Sequence, residues 1–206
     1  DFVQLAQEAE KVGGVVVVDE IFRPFIPGKE WTTVALKHPN LYATGSLTKV
    51  WGLGGLRIGW VIASPEVIAR VYNVIDHIYV VMPFVSEYLS YQILKNNKVE
   101  SSLLRRARDI ALENLKIVTG FLDSLEGLSY HTPDGGIVLF CQWYDDFDGE
   151  HFCQELYCSH RILLQPGSFF GVKQGFRLGF GTGKEQLMKG LEKVRQVWEN
   201  FHNQRF

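Results

Sequence analysis

Val15 to Val18 are consecutive valines that run without polar relief into Asp19 and Glu20. So short a β-branched run, opened by Gly13-Gly14 and closed by acid, reads as a strand buried on both faces. Strands of that kind sit in parallel sheets. DFVQLAQEAEK precedes it, an amphipathic pattern expected to form a helix capped by Asp1 with Leu5 and Ala9 on its buried side. A helix feeding such a strand is an α/β signature. LYATGS (Leu41–Ser46) and LRIGWVIA (Leu56–Ala63) read as two further strands. The intervening IFRPFIPGKEW, with Pro24, Pro27 and Gly28, reads as a loop.

Ser64-Pro65-Glu66 is a helix start, with a serine cap, proline at the first position and an acid in the first turn. Helix is expected from there to about Asn96, divided by Pro83. A long helix is expected over Ser101–Leu125, where positions 103, 104, 107, 111, 115, 118 and 122 are apolar at near-helical spacing. After Gly127 the texture changes. Strands are expected at Gly136–Gln142, Arg161–Leu164 and Phe176–Phe180, with helices at Glu150–Ser159 and Gly183–Asn200. The chain therefore reads as a piece of a mostly parallel α/β domain followed by a small α+β domain, divided within the long helix. Three strands make an uncomfortable doubly wound sheet, so further strands are expected from another part of a longer chain or from a partner.

Lys and Arg total 21 against 23 Asp and Glu, which gives no electrostatic reason to expect nucleic-acid binding. No apolar run approaches the roughly 20 residues that span a bilayer as helix. The 3 cysteines are an odd number and too few for a disulfide framework, which points to free thiols in a reducing, cytoplasmic setting. His151-x-Cys153-x4-Cys158-x-His160 offers possible zinc ligands. The two cysteines lie roughly 140° apart around a helix and lack a short knuckle spacing, so no metal site is expected.

The densest chemical signal is GSLTKVWGLGGLRIGW, Gly45 to Trp60. Lys49 follows a strand end, between the hydroxyls of Ser46 and Thr48 and a glycine-rich loop, with Arg57 further on. A lysine in such a pocket forms imines with carbonyl compounds, and a hydroxyl with an arginine holds a phosphate. Asp19 ends a buried strand, the usual ligand position of an α/β sheet, and is suited to pair with a protonated ring nitrogen. Arg177 lies inside an apolar strand, after PGSFFG. It is expected either to clamp a carboxylate or to form a buried salt bridge with an internal acid. Trp31, Trp60, Trp143 and Trp198 read as core or loop-anchoring aromatics. Trp51, two residues after Lys49, is the one tryptophan placed to approach a cofactor.

VVVDEIF, GSLTKVWGLGGLRIGW and PGSFFG with FRLGF, in this order and spacing, resemble the fold-type I, pyridoxal-phosphate-dependent aminotransferases of class I/II, with the aspartate aminotransferase architecture. The resemblance covers nearly the whole chain. It implies that Lys49 carries the cofactor covalently and shuttles a proton, that Asp19 binds the pyridine nitrogen, and that Ser46 and Arg57 bind the phosphate. Arg177 would take the substrate's α-carboxylate. The implied domains are residues 1–115, the C-terminal part of the large cofactor-binding domain, and residues 116–206, the small C-terminal domain. The implied reaction moves an amino group from an amino acid to a 2-oxo acid, in a homodimer. Related eliminations, decarboxylations or condensations, and a non-catalytic fragment, are the alternatives. The sequence departs from the family pattern in two respects. Phe22 stands where the family usually has a tyrosine that bonds the cofactor's 3'-oxygen, a loss that would make the lysine imine more basic. The family's preceding segment, with its ring-stacking aromatic and part of its phosphate cup, is expected to come from a missing N-terminal half.

Overall fold

Asp1 caps the first helix, α1 (Phe2–Glu10), by accepting the Val3 N–H at 3.0 Å. Its buried face runs through Ala6, fully buried, with Val3 and Ala9 half-buried beside it, whereas Leu5 is 54% exposed. The covered stripe is thus rotated one residue from the one expected. The computed structural model describes residues 1–26, 32–79, 83–144 and 147–203. The expectations for Pro27, Gly28 and Trp31, and for helix at residues 80–82, lie outside them.

Strand β1 (Val16–Asp19) pairs parallel with β2 (Leu41–Ser46), in register from Val16↔Leu41 to Asp19↔Thr44. Strand β3 (Gly59–Ile62) pairs with the other edge of β2 from Ala43↔Ile62 to Ser46↔Gly59. That second pairing is antiparallel, so one of the two junctions of the sheet departs from the parallel arrangement read from the sequence. Ala6, Val34, Leu41 and Ala43 form a buried cluster against which Val3, Val16, Val18 and Ile62 pack. Burial along β1 alternates, and Val17 is 60% exposed. The valine run is therefore covered on one face within the described residues, not on both as expected. Alternation of this kind follows from the two-residue period of a strand.

Ser64 accepts the Val67 N–H and Pro65 occupies the first position of α2 (Pro65–Ile78), the start read from the sequence. α3 (Phe84–Lys95) begins directly after Pro83, which supplies no N–H and fixes its own φ. α4 (Asn97–Leu122) starts before Ser101 because Asn96 Oδ1 accepts the N–H groups of Lys98 and Val99, at 3.2 and 3.3 Å. The chain folds as two compact units, Asp1–Arg108 and Asp109–Phe206, divided within α4. The 115/116 boundary read from the sequence falls further along the same helix.

The second unit holds an antiparallel sheet of order β4-β5-β7-β6, made of Leu128–Tyr130, Val138–Trp143, Gly175–Gly179 and Gln165–Pro166 respectively. β4 was not foreseen. The strand expected at Arg161–Leu164 does not form. Arg161, at φ +58°, closes α5 (Gly149–His160), and pairing begins only at Gln165. Alternate side chains of the two central strands are buried: Leu139, Cys141 and Trp143 on β5, Phe176 and Leu178 on β7. Phe152 and Leu156 of α5 pack on this face, as do Leu187, Leu191, Val194 and Trp198 of α6 (Lys184–Asn203). Their spacing along α6 is a helical stripe. Trp143 stacks on Phe147 at 4.6 Å between ring centroids and meets Trp198 edge-on at 5.4 Å. Buried Asn114 donates to the carbonyls of Phe180 and Thr182 at 2.7 and 2.8 Å, tying α4 to the end of β7. Cys141 and Cys153 are buried and Cys158 is exposed, all three as thiols. Among the described residues no helix is long and apolar enough to cross a membrane, and no group of His, Cys, Asp or Glu is placed to hold a metal ion.

Candidate active site

Strand direction assembles the first group of candidates. β1 and β2 run parallel, so both end at the same edge of the sheet, and antiparallel β3 begins there. Asp19 and Phe22 leave the end of β1. Ser46 and Lys49 leave the end of β2. Arg57 precedes β3. The ladder continues one bond past β1, from the Glu20 N–H to the Thr44 carbonyl at 2.9 Å. Five sequence-predicted residues thereby share one edge of the first unit.

Asp19 is exposed, and its Oδ1 accepts the Ile21 N–H at 3.0 Å. Its other carboxylate oxygen has no protein partner among the described residues. Neighbouring Glu20 faces the other way: it is 2% exposed, pairs with Arg23 at 2.5 Å and accepts the Val34 N–H at 2.9 Å. Two adjacent carboxylates thus divide into a structural one and an available one.

The turn after β2 is pinned from beneath. Leu47, Val50 and Trp51 are buried, the Leu53 N–H bonds the Leu47 carbonyl at 3.0 Å, and the Gly52 N–H bonds the Lys49 carbonyl at 3.2 Å. Lys49 itself is exposed, between these anchors. Its Nζ lies 5.9 Å from the centroid of the Phe22 ring, which brings two of the candidates together directly. Attraction of a cation to an exposed ring face is worth about 0.5–1 kcal/mol. Buried Ser46 pairs its hydroxyl with Thr48 Oγ1 at 2.5 Å, accepts the Thr48 N–H at 3.0 Å and lies 3.2 Å from the Ile58 carbonyl, to which it can donate. Trp51 is engaged elsewhere: its indole N–H donates to Glu100 at 3.0 Å and its ring meets Trp60.

Gly45 lets Trp60 close over β2, because a Cβ there would stand 2.4 Å from the indole nitrogen. Arg57 is exposed and holds a left-handed backbone, φ +57°, after the 3-10 turn Gly54–Leu56. Such a conformation costs a non-glycine residue roughly 1–2 kcal/mol, and residues held there cluster at functional sites. Among the described residues its guanidinium reaches the Gly54 carbonyl alone, from Nη1 at 3.4 Å, so most of its donors are uncommitted.

Arg177 belongs to the second unit. It lies half-buried on the face of the sheet opposite the core, donates to Gln165 Oε1 at 2.9 Å and places its guanidinium 5.8 Å from the Phe170 ring centroid. No carboxylate pairs with it among the described residues, so the buried salt bridge held open as an alternative is not formed there. Gln165 and Phe170 were missed in the sequence. The only signal for Gln165 was the period-two register of the strands, which needs the strand bounds to be known, and Phe170, in the 3-10 turn Gly167–Phe170, had none.

Residues 1–194 match the family model for aminotransferase class I and II. The chain belongs to the class I and II aminotransferase family. Among curated proteins it is 25% identical over 154 residues to capreomycidine synthase from Streptomyces vinaceus, covering 74% of this chain and 39% of that protein. It is 26% identical to nicotianamine aminotransferase 1 from Oryza sativa subsp. japonica, covering 93% of this chain and 42% of the relative. A PLP-dependent aminotransferase structure from Streptococcus suis superposes with TM-score 0.87 at 30% identity, over 97% of this chain and 52% of that one. The chain thus spans about half the length, or less, of these relatives. Family and fold are those of a fold-type I aminotransferase, whose cofactor is pyridoxal phosphate.

Proposed function

We propose that this chain supplies the cofactor-binding lysine and part of the substrate site of an aminotransferase that moves an amino group from an amino acid to a 2-oxo acid. The observation that carries this reading is the shared sheet edge, from which an amine, a half-free carboxylate, a hydroxyl pair and a largely uncommitted guanidinium all leave the strands.

That donor set fits pyridoxal phosphate group by group. Lys49 Nζ is an amine for the aldehyde. Ser46, Thr48 and Arg57 are donors for the phosphate. The free oxygen of Asp19 suits a protonated ring nitrogen. When bound, the cofactor supplies an electron-poor ring that weakens the bonds at an amino acid's α-carbon. Lys49 Nζ holds it and moves the proton at that carbon. Asp19, kept oriented by the Ile21 N–H, preserves the ring's positive charge. Arg57 and Ser46 fix the phosphate end, so that the reacting end stays in place. Phe22 covers one approach to the Lys49 amine. In the second unit, Arg177 takes the substrate's α-carboxylate.

A homodimer in a reducing, cytoplasmic setting belongs to the same reading. Exposed apolar residues on α2 and α3, among them Tyr72, Ile78, Phe84 and Val85, and the thiol state of the cysteines support it. The match to capreomycidine synthase favours a second reading, in which the same apparatus labilises an α-carbon bond for a different outcome. Incubating the holoenzyme with 15N-labelled amino acids and a mixture of 2-oxo acids separates the two. Transfer of the label to a new amino acid is the expected result. Consumption of the amino acid with no labelled amino acid formed would replace transamination by the second reading.

A further inference from the structure

We propose that Gln165 is a positioning residue for Arg177, and that its being an amide and not an acid leaves the guanidinium's charge to a substrate carboxylate. This rests on the role given to Arg177 above.

Three strands place the relevant side chains in one row. Arg177 on β7 is the register partner of Phe140 on β5 and, across its other edge, of Gln165 on β6. Residues directly opposite each other on neighbouring strands point to the same face. Leu139, Cys141, Phe176 and Leu178 fill the core on the opposite face, so the row Phe140–Arg177–Gln165 looks outward. Phe170 completes the frame. It ends the 3-10 turn Gly167–Phe170, where Gly171 at φ +79° reverses the chain, and it meets Phe140 edge-on at 5.8 Å and 83°.

The guanidinium is therefore held on two sides. Phe170 lies 5.8 Å from it, and Gln165 Oε1 accepts one Nη1 hydrogen at 2.9 Å. A guanidinium carries five N–H donors in a planar fork. One is committed to Gln165 and no second acceptor engages the others among the described residues, which leaves donors for a bidentate carboxylate. The chemistry of residue 165 matters because of where it sits. A neutral amide fixes the orientation of the fork without neutralising it, and its own NH2 remains a donor. A carboxylate at the same position would form an ion pair with Arg177 and repel an incoming carboxylate.

Three variants of the holoenzyme test this: Gln165→Ala, Gln165→Glu and Arg177→Lys, each checked for an unchanged melting temperature. The readouts are KM and kcat for the amino acid and 2-oxo acid found active in the transfer assay, with the competitive inhibition constant of acetate. Gln165→Ala is expected to raise KM for both substrates and the acetate constant about three- to tenfold, with kcat within about twofold. Gln165→Glu, which nearly preserves shape, is expected to raise them more than about tenfold. A merely structural role at the strand edge would make alanine the worse of the two. The inference is overturned if Arg177→Lys raises KM strongly while both Gln165 variants match the wild type, or if glutamate is no worse than alanine. If Arg177→Lys itself leaves KM and the acetate constant unchanged, the role of Arg177 fails and the inference falls with it.

Discussion

The two units of this chain solve the problem of burial differently. In the second, a sheet face, two helices and a cluster of aromatic rings close on one another. Trp143 is the hub, with Phe147, Phe152, Phe176 and Trp198 packed around its indole. In the first, β1 is covered by α1 on one face, while Val15 and Val17 on the other are 48% and 60% exposed. α2 has no buried residue. The first unit nevertheless carries five of the six candidate site residues. Rigidity at that edge comes from local devices: the pinned turn under Lys49, the Ser46–Thr48 hydroxyl pair, and the Trp60 indole laid over Gly45.

Large-to-small substitutions should separate the units most sharply. Phe152→Ala in the second unit removes a fully buried ring and is expected to cost about 3–5 kcal/mol. Val17→Ala in the first is expected to stay within about 0.5 kcal/mol. Chemical denaturation of both variants checks the pair, and equal losses would break the comparison. Gly45→Ala comes next. A methyl group 2.4 Å from the Trp60 nitrogen forces the indole aside, for an expected loss of about 1–3 kcal/mol and weaker cofactor binding. Calorimetry with added pyridoxal phosphate reads both effects.

Arg57→Gly should split stability from function. Glycine adopts φ +57° without strain, so the variant is expected to be about 0.5–1 kcal/mol more stable while binding pyridoxal phosphate less tightly. Loss of stability together with undiminished affinity would show that Arg57 is structural. The smallest effect is expected for Phe22→Tyr, whose ring already lies beside Lys49. A hydroxyl added there should move the pH midpoint of the bound cofactor's absorbance change downward, and an unmoved midpoint would mean that no donor was lacking.

What the sequence made legible follows the reach of each rule. Ser64-Pro65-Glu66 and Pro83 act within a single turn, and the helices start where those residues place them. The direction of β3 was not legible, because an apolar run looks the same whichever way its strand points. Arg161 to Leu164 reads as a strand, but Arg161 takes the left-handed conformation that closes α5, and pairing begins only at Gln165. The lysine block, Asp19 and Arg177 were visible as polar groups in apolar or glycine-rich surroundings. Gln165 was not, because its relation to Arg177 is set by register between strands and not by spacing in sequence.

The central claim is that Lys49 is the residue on which the cofactor is held. Borohydride reduction of the holoenzyme, digestion and mass spectrometry test it directly. The account predicts one phosphopyridoxyl adduct, on the peptide that carries Lys49. An adduct on a different lysine, or none after reduction of a protein that has bound the cofactor, would contradict it.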